Sequence, residues 1–297
     1  MRIAAAAWPI DWHDSWASYE DKLSRWVAEA AGQRADLLVF PEYGAMELAS
    51  LAGPEAAADL ERSLRAVADR VEAADALHAR LAISYGVHIL AASAPVWRGE
   101  RPVNRARLFG PGGQVGCQDK QIMTRFERET WDVHPGGPLT LFETWLGKIG
   151  VLICYDSEFP LLARAMVAAR AEILLVPSCT DALTGYWRVR VGAMARALEG
   201  QCVVVQAPAV GTAEWCPAVD ENVGAAAIYG PPDLGFPPTG VLAEGALNAP
   251  GWVYGEADRD TIARVRAEGA VENAAHWPEQ DARTASVVSV PFDAFTT

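Results

Sequence analysis

The chain has 297 residues, of which 51% are hydrophobic and 21% charged, enough apolar material for a large buried core and too much for a disordered or fibrous protein. Its 38 acidic residues outnumber 25 basic ones, and the formal charge of −13 repels phosphate backbones and anionic membrane surfaces, with no basic cluster to overcome it. Nucleic acid and membrane are therefore not expected partners. The cysteines, at positions 117, 154, 179, 202 and 216, are odd in number and scattered, without a C-x-x-C pair, so the sequence encodes neither a disulfide framework nor a zinc site. The histidines are equally dispersed, and H-E-x-x-H, phosphate-loop, G-x-G-x-x-G and G-x-S-x-G motifs are absent. Neither a metal nor an organic cofactor is expected.

In chain order, MRIAAAAWPI opens with an arginine and an apolar run, but Pro9 and Asp11 cut that run short of a signal-peptide core. It reads as the first strand of a cytoplasmic protein, and no later stretch approaches membrane-spanning length. Apolar residues at Trp16, Leu23, Trp26, Val27 and Ala30 suit one helix face, which Gly32 stops. ADLLVFPE is a continuous apolar strand ending at Pro41 and Glu42, and helical sequence with a break runs from about 54 to 85. VHILAASAPV at 87–96 is the next strand, followed by a hairpin about the turn 110–113 that closes on Asp119 and Lys120. LTLFET and GKIGVLIC form another strand pair, ending at Cys154. The rhythm then repeats: a helix over about 160–170, the strand EILLVPS, a helix over about 186–198 and the strand CVVVQAPA. Strands at GAAAIYG, GVLAEG and WVYGEAD precede a helix over 261–269 and a Pro-containing tail from about 270. Apolar-throughout strands alternating with helices give an α/β protein whose strands are covered on both faces. No Ser- or Pro-rich linker divides the chain, so one domain over 1–297 is expected.

Three residues share an unusual position. Glu42, Lys120 and Cys154 each directly follow a run that reads as a strand, where a side chain leaves the core. Individually, the two charges read as solvated strand ends and the thiol as a small buried hydrophobe. In VLICYDSEFP the thiol also sits among carboxylates, Asp156 and Glu158, that raise rather than lower its pKa. Together, however, the three form the set that nucleophilic attack on an amide needs. The lysine supplies positive charge to a thiolate and to a developing oxyanion, and the glutamate takes and returns the proton.

PEYG, DKQIMTRFERE and GVLICYDSEFP, in that order and with wide gaps, resemble the nitrilase superfamily of carbon–nitrogen hydrolases. The first strand, VPSCTD, ARALEGQ and GVLAEG also suit that family, so the resemblance covers most of the chain. It implies an α-β-β-α sandwich that associates as a homodimer or higher homo-oligomer through its outer helices. It also implies a Glu-Lys-Cys triad in which Glu42 matches the general base, Lys120 the catalytic lysine and Cys154 the nucleophile. A second glutamate that positions substrate and lysine falls on Glu129, with Glu127 as the alternative. The chain departs from the amidase-like pattern C-Y-D-x-R-F-P by carrying Glu158 at the arginine position, and Glu158 reads as an acceptor for nearby backbone groups.

The expected reaction follows from that assignment. Glu42 takes the thiol proton, Cys154 attacks the carbonyl of a small amide, and Lys120 with the backbone N–H of Tyr155 holds the oxyanion. The amine leaves, water cleaves the thioester, and the thiol stays protonated at rest until substrate excludes water. Loops after strands supply the expected pocket wall: Tyr43, Trp131, Tyr155, Thr180, Tyr186 and Trp187. The expected substrate is a small amide. Hydrolysis of a nitrile or of an N-carbamoyl compound stands as the rival within the family, and a catalytically silent binding module or a thiol redox protein stands outside it.

Overall fold

Side-chain alternation in the first strand sets up the architecture. In β1 (Arg2–Pro9), Ile3, Ala5 and Ala7 belong to one apolar cluster, whereas Ala4, Ala6 and Trp8 belong to another, as a period of two requires of a strand buried on both faces. The structure is a computed structural model describing residues 1–290, so positions 291–297 of the expected single domain lie outside the described residues.

The other strands are β2 (Leu37–Val39), β3 (His88–Leu90), β4 (Ala94–Arg98), β5 (Arg101–Phe109), β6 (Val115–Asp119), β7 (Leu141–Thr144) and β8 (Gly147–Val151). They continue with β9 (Ile173–Ser178), β10 (Val203–Thr212), β11 (Glu221–Asn222), β12 (Ala227–Tyr229), β13 (Val241–Glu244) and β14 (Gly251–Glu256). A hydrogen-bonded path runs β4-β5-β3-β2-β1-β10-β9-β8-β7. Its centre is thin: β1 meets β10 only through Trp8 with Ala209 and Pro9 with Val210. At this seam the path folds into two halves that stack face to face. Ile3, Ala5, Leu37 and Val39 of one half share a cluster with Ile149, Val151, Leu175 and Val205 of the other. Each Ile, Leu or Val side chain in this layer contributes about 1.5–3 kcal/mol by leaving water.

Helices cover the outer faces. Against the first half lie α1 (Trp16–Gly32), α2 (Pro54–Ala57), α3 (Leu60–Ala68) and α4 (Val71–Tyr85), which bury Leu23, Val27, Leu64, Leu77 and Leu81 against Leu38 and Phe40. The short α5 (Arg125–Glu129) follows β6. Against the second half lie α6 (Pro160–Ala168) and α7 (Leu183–Gly200), through Ala163, Met166, Val189, Ala193 and Ala197, and the chain continues into α8 (Arg259–Glu268) and α9 (Asn273–His276). The result is the α-β-β-α sandwich. The helix ends follow local chemistry: Ser15 and Asp258 cap α1 and α8, Pro160 opens α6, and Gly86 ends α4 at φ 68°.

Several boundaries differ from the sequence reading. The strand expected at 87–96 is two strands, β3 and β4, and the segment 54–85 contains three helices. A 3-10 helix over Gly44–Ala52 and a 3-10 turn over Cys154–Glu158 were not legible, since neither has a periodic apolar stripe.

Strand direction positions the cleft. β1, β2 and β3 are mutually parallel, β6 regains their direction through antiparallel β5, and β8, β9 and β10 run parallel across the seam. Glu42, Lys120, Cys154 and Cys179 thus emerge at one edge of the sandwich, two from each sheet.

Candidate active site

Glu42, Lys120 and Cys154 lie together and are 1%, 1% and 4% exposed, so neither charge is the solvated strand end that it resembles in isolation. Lys120 Nζ donates to Glu42 Oε1 at 2.7 Å and to Glu127 Oε2 at 2.7 Å. Glu42 is held from three directions, since Oε1 also accepts from Asn104 Nδ2 at 2.9 Å and Oε2 from the Cys179 N–H at 3.0 Å. Cys154 Sγ points at the Cys179 carbonyl oxygen, 3.8 Å away. Both Cys154 and Tyr43 have left-handed backbones, at φ 50° and 52°. That conformation is strained for residues other than glycine and clusters at functional sites. The Cys154 turn is held by Ser157 Oγ, which donates to the Cys154 carbonyl at 2.7 Å.

Of the two candidate glutamates, Glu127 reaches Lys120 and the expected Glu129 does not. Thr124 caps α5 in a reciprocal capping box, and its N–H and hydroxyl donate to Glu127 Oε2 at 2.9 and 2.8 Å. Tyr43 donates its hydroxyl to Glu127 Oε1 at 2.8 Å. Glu129 lies on the exposed side of the same helix, paired with Arg125 at 3.2 Å. The pattern T-x-x-E in TRFE was the sequence signal for Glu127.

Electrostatics separate the four groups. Burial pushes the Glu42 carboxyl up to about 7, with Lys120 opposing and Glu127 adding to the rise. Burial also favours a neutral Lys120, but Glu127 and Glu42 outweigh it and hold the ammonium well above its ordinary range. Burial likewise works against ionised Glu127, yet Lys120, Thr124 and Tyr43 keep its carboxyl below the usual value. Burial, then Glu42, raises the Cys154 thiol well above the usual range despite Lys120. The resting arrangement is a protonated thiol, a fixed cation and a carboxylate that changes protonation near neutrality. It can move a proton from sulfur to carboxylate when a negative charge develops nearby.

These groups open into a cleft of about 410 Å³ whose walls include Tyr43, Trp131, Tyr155 and Thr180. Tyr43 and Trp131 pack ring on ring at 4.7 Å between centroids, forming one wall. Tyr186 and Trp187, expected in the pocket, do not line it: Tyr186 is buried on α7 and accepts a hydrogen bond from Arg190, and Trp187 is 50% exposed. Glu158 lines the cleft too, 3.6 Å from Arg188, in a charge pair rather than as a backbone acceptor. Asn104 and Cys179 were missed. Asn104 carried no sequence signal, since it stands among arginines in RPVNRARLF and its burial emerges only in the packed fold. Among the described residues, no group of three or more His, Cys, Asp and Glu side chains is arranged to hold a metal ion, and no helix is long and apolar enough to cross a membrane.

Residues 2–267 match the family profile described as carbon-nitrogen hydrolase. A probable hydrolase of Bacillus subtilis, YhcX, is 32% identical over 271 residues, covering 91% of this chain and 52% of YhcX. A bifunctional nitrilase/nitrile hydratase of Oryza sativa is 30% identical over 201 residues, covering 63% of this chain and 54% of its own. The chain thus spans about half the length of these curated relatives. Among solved structures, the amidase from Nesterenkonia sp. AN1 superposes with a TM-score of 0.65 at 25% identity, over 90% of this chain and 97% of that one. That structure is a glutamate-to-glutamine variant with acrylamide joined by Michael addition to the active-site cysteine. With the profile spanning nearly all of the sequence and the sandwich shared with a solved amidase, the chain belongs to the carbon-nitrogen hydrolase family.

Proposed function

We propose that the protein is an amidase that hydrolyses a small carboxamide through a thioester on Cys154. The observation that carries this reading is the buried row Glu42–Lys120–Glu127 set against a protonated thiol in a cleft. Glu42 takes the thiol proton as Cys154 Sγ attacks the carbonyl carbon. The carbonyl π electrons pass to oxygen, and Lys120 with the Tyr155 N–H stabilises the oxyanion. Glu42 returns the proton to nitrogen as the C–N bond breaks, and the amine departs. Water, deprotonated by Glu42, then attacks the thioester, the C–S bond breaks, the acid leaves and the thiol regains its proton. Glu127 keeps Lys120 charged and in place.

The solved amidase supports this reading, because its active-site cysteine is nucleophilic enough to add to the double bond of acrylamide. Similarity to a nitrilase/nitrile hydratase favours a second reading, in which the same thiol attacks C≡N. The test compares kcat/KM on amide and nitrile pairs with the same side group. Faster nitrile hydrolysis overturns the amide reading in favour of the second, and no turnover of either class overturns both. Cys154→Ala is expected to remain folded and lose turnover. A near-normal Ala variant would reject Cys154 as the nucleophile.

A further inference from the structure

We infer that Asp156 is a positioning residue that locks the lysine segment and the thiol turn into register across the two sheets. Lys120 follows β6 in one sheet and Cys154 follows β8 in the other, so their separation depends on whatever ties these loops together. Asp156, 1% exposed, sits between them. Its Oδ1 accepts from the Ile122 N–H at 2.9 Å and the Gln121 N–H at 3.1 Å, on the lysine segment. Its Oδ2 accepts from the Ile153 N–H at 3.2 Å, immediately before the thiol, and lies 3.2 Å from the Gln121 N–H. One carboxylate thereby joins the two residues after Lys120 to the residue before Cys154.

The chemistry requires a carboxylate. Two acceptor oxygens face N–H donors from opposite sides, whereas an asparagine would present one oxygen and turn an NH₂ group against an N–H. The lysine segment is anchored independently on its own side, where Gln121 Nε2 donates to the carbonyls of Asp119 and Gly137 at 2.7 and 2.8 Å. The thiol turn is anchored on the other side, where Arg196 Nη1 donates to the Ser157 carbonyl at 3.0 Å. A Cβ on Gly192 of α7 would stand 2.9 Å from that same oxygen, so the helix presses directly on the turn. Asp156 closes the gap between two braced pieces. Lys120 is drawn toward Glu42, which follows β2 of its own sheet, and toward Glu127 on α5, and the Asp156 bridge opposes its separation from sulfur.

This inference rests on the proposed roles of Lys120 and Cys154, so its test includes an arm that needs no substrate. Full-length parent and Asp156→Asn are compared at a temperature where both show native circular dichroism. Turnover is measured on the best amide, and iodoacetamide labelling of Cys154 is followed by mass spectrometry. Loss of register is expected to lower kcat about 100-fold with KM within about twofold, the scale of an ångström-level misplacement. Labelling is expected to slow about tenfold, because a displaced Lys120 no longer stabilises the thiolate. Asp156→Glu, which restores both oxygens, is expected to recover part of each loss. A residue that served stability alone would instead loosen the turn. Labelling unchanged or faster than in the parent, or failure of both variants to fold, overturns the inference. A parent inactive on amides and nitriles counts against the proposed function, whereas the labelling arm still decides the role of Asp156.

Discussion

Glu42 shows how burial becomes a functional property. Its carboxyl, raised from 4.5 to about 7, must be ionised to accept the thiol proton. The expected sign follows: kcat/KM falls about tenfold per pH unit below that value as the base becomes protonated, and levels off above it. A pH–rate profile with its acid limb near 4.5 would remove Glu42 from the role of base. Glu42→Gln and Lys120→Gln are each expected to lower turnover by about 100-fold or more, the scale of losing a desolvated charge that faces an oxyanion. A fall of less than about fivefold in Lys120→Gln would reject the proposed role of the lysine. The two candidate glutamates separate cleanly. Glu127→Gln removes a carboxylate from Lys120 and is expected to lower kcat about tenfold or more, whereas Glu129→Gln touches only a surface pair with Arg125 and is expected to stay within about twofold. Comparable losses in both would show that surface charge, rather than contact with Lys120, matters.

At the scale of one element, α5 links local folding to the site. This five-residue helix is too short to be stable by propensity, and its capping box both starts it and aims Glu127 at Lys120. Thr124→Ala is expected to cost about 1 kcal/mol in urea unfolding, as loss of an N-cap does. It should also lower kcat, because the Thr124 hydroxyl holds the Glu127 oxygen that Lys120 uses. A stability loss with kcat unchanged would make the cap purely structural. The central strands respond differently. Leu175 of β9 is fully buried between the layers, and Leu175→Ala is expected to cost about 2–5 kcal/mol, readable as a lower urea midpoint, without touching the cleft lining.

At the scale of the whole molecule, the sandwich places two polar strand ends from each sheet at one edge, so the cleft exists only when the sheets stack. The outer helices of the second sheet leave apolar side chains in water: Leu161 on α6 and Val191 on α7 are 74% and 61% exposed. The family resemblance implies association through the outer helices, and these residues are where it would act. Light scattering is expected to give the mass of a dimer or higher oligomer, and Val191→Glu with Leu161→Glu is expected to yield a monomer. A parent chain that is monomeric at micromolar concentration would refute the association.

The local rules of strand, turn and cap fixed much of this protein. Apolar runs, turn glycines and the position of polar residues just after strands depend only on neighbours in the chain, which made β1, β2, β9 and the strand-end placement of Glu42, Lys120 and Cys154 legible. Direction in three dimensions was not. Glu127 and Glu129 are two residues apart, and at about 100° per residue on a helix they face nearly opposite sides. The capping box favoured the first, but only the packing of α5 against Tyr43 and Lys120 made the inner side the active one. Tyr186 and Trp187 failed as pocket residues for the same reason: which face of α7 meets the sheet is settled by contacts such as Gly192 on Ser157, far away in sequence. The raised carboxyl of Glu42 and the bridge through Asp156 likewise required both sheets to be in place. Burial, and hydrogen bonds from distant segments, are properties of the packed molecule rather than of any stretch of the chain.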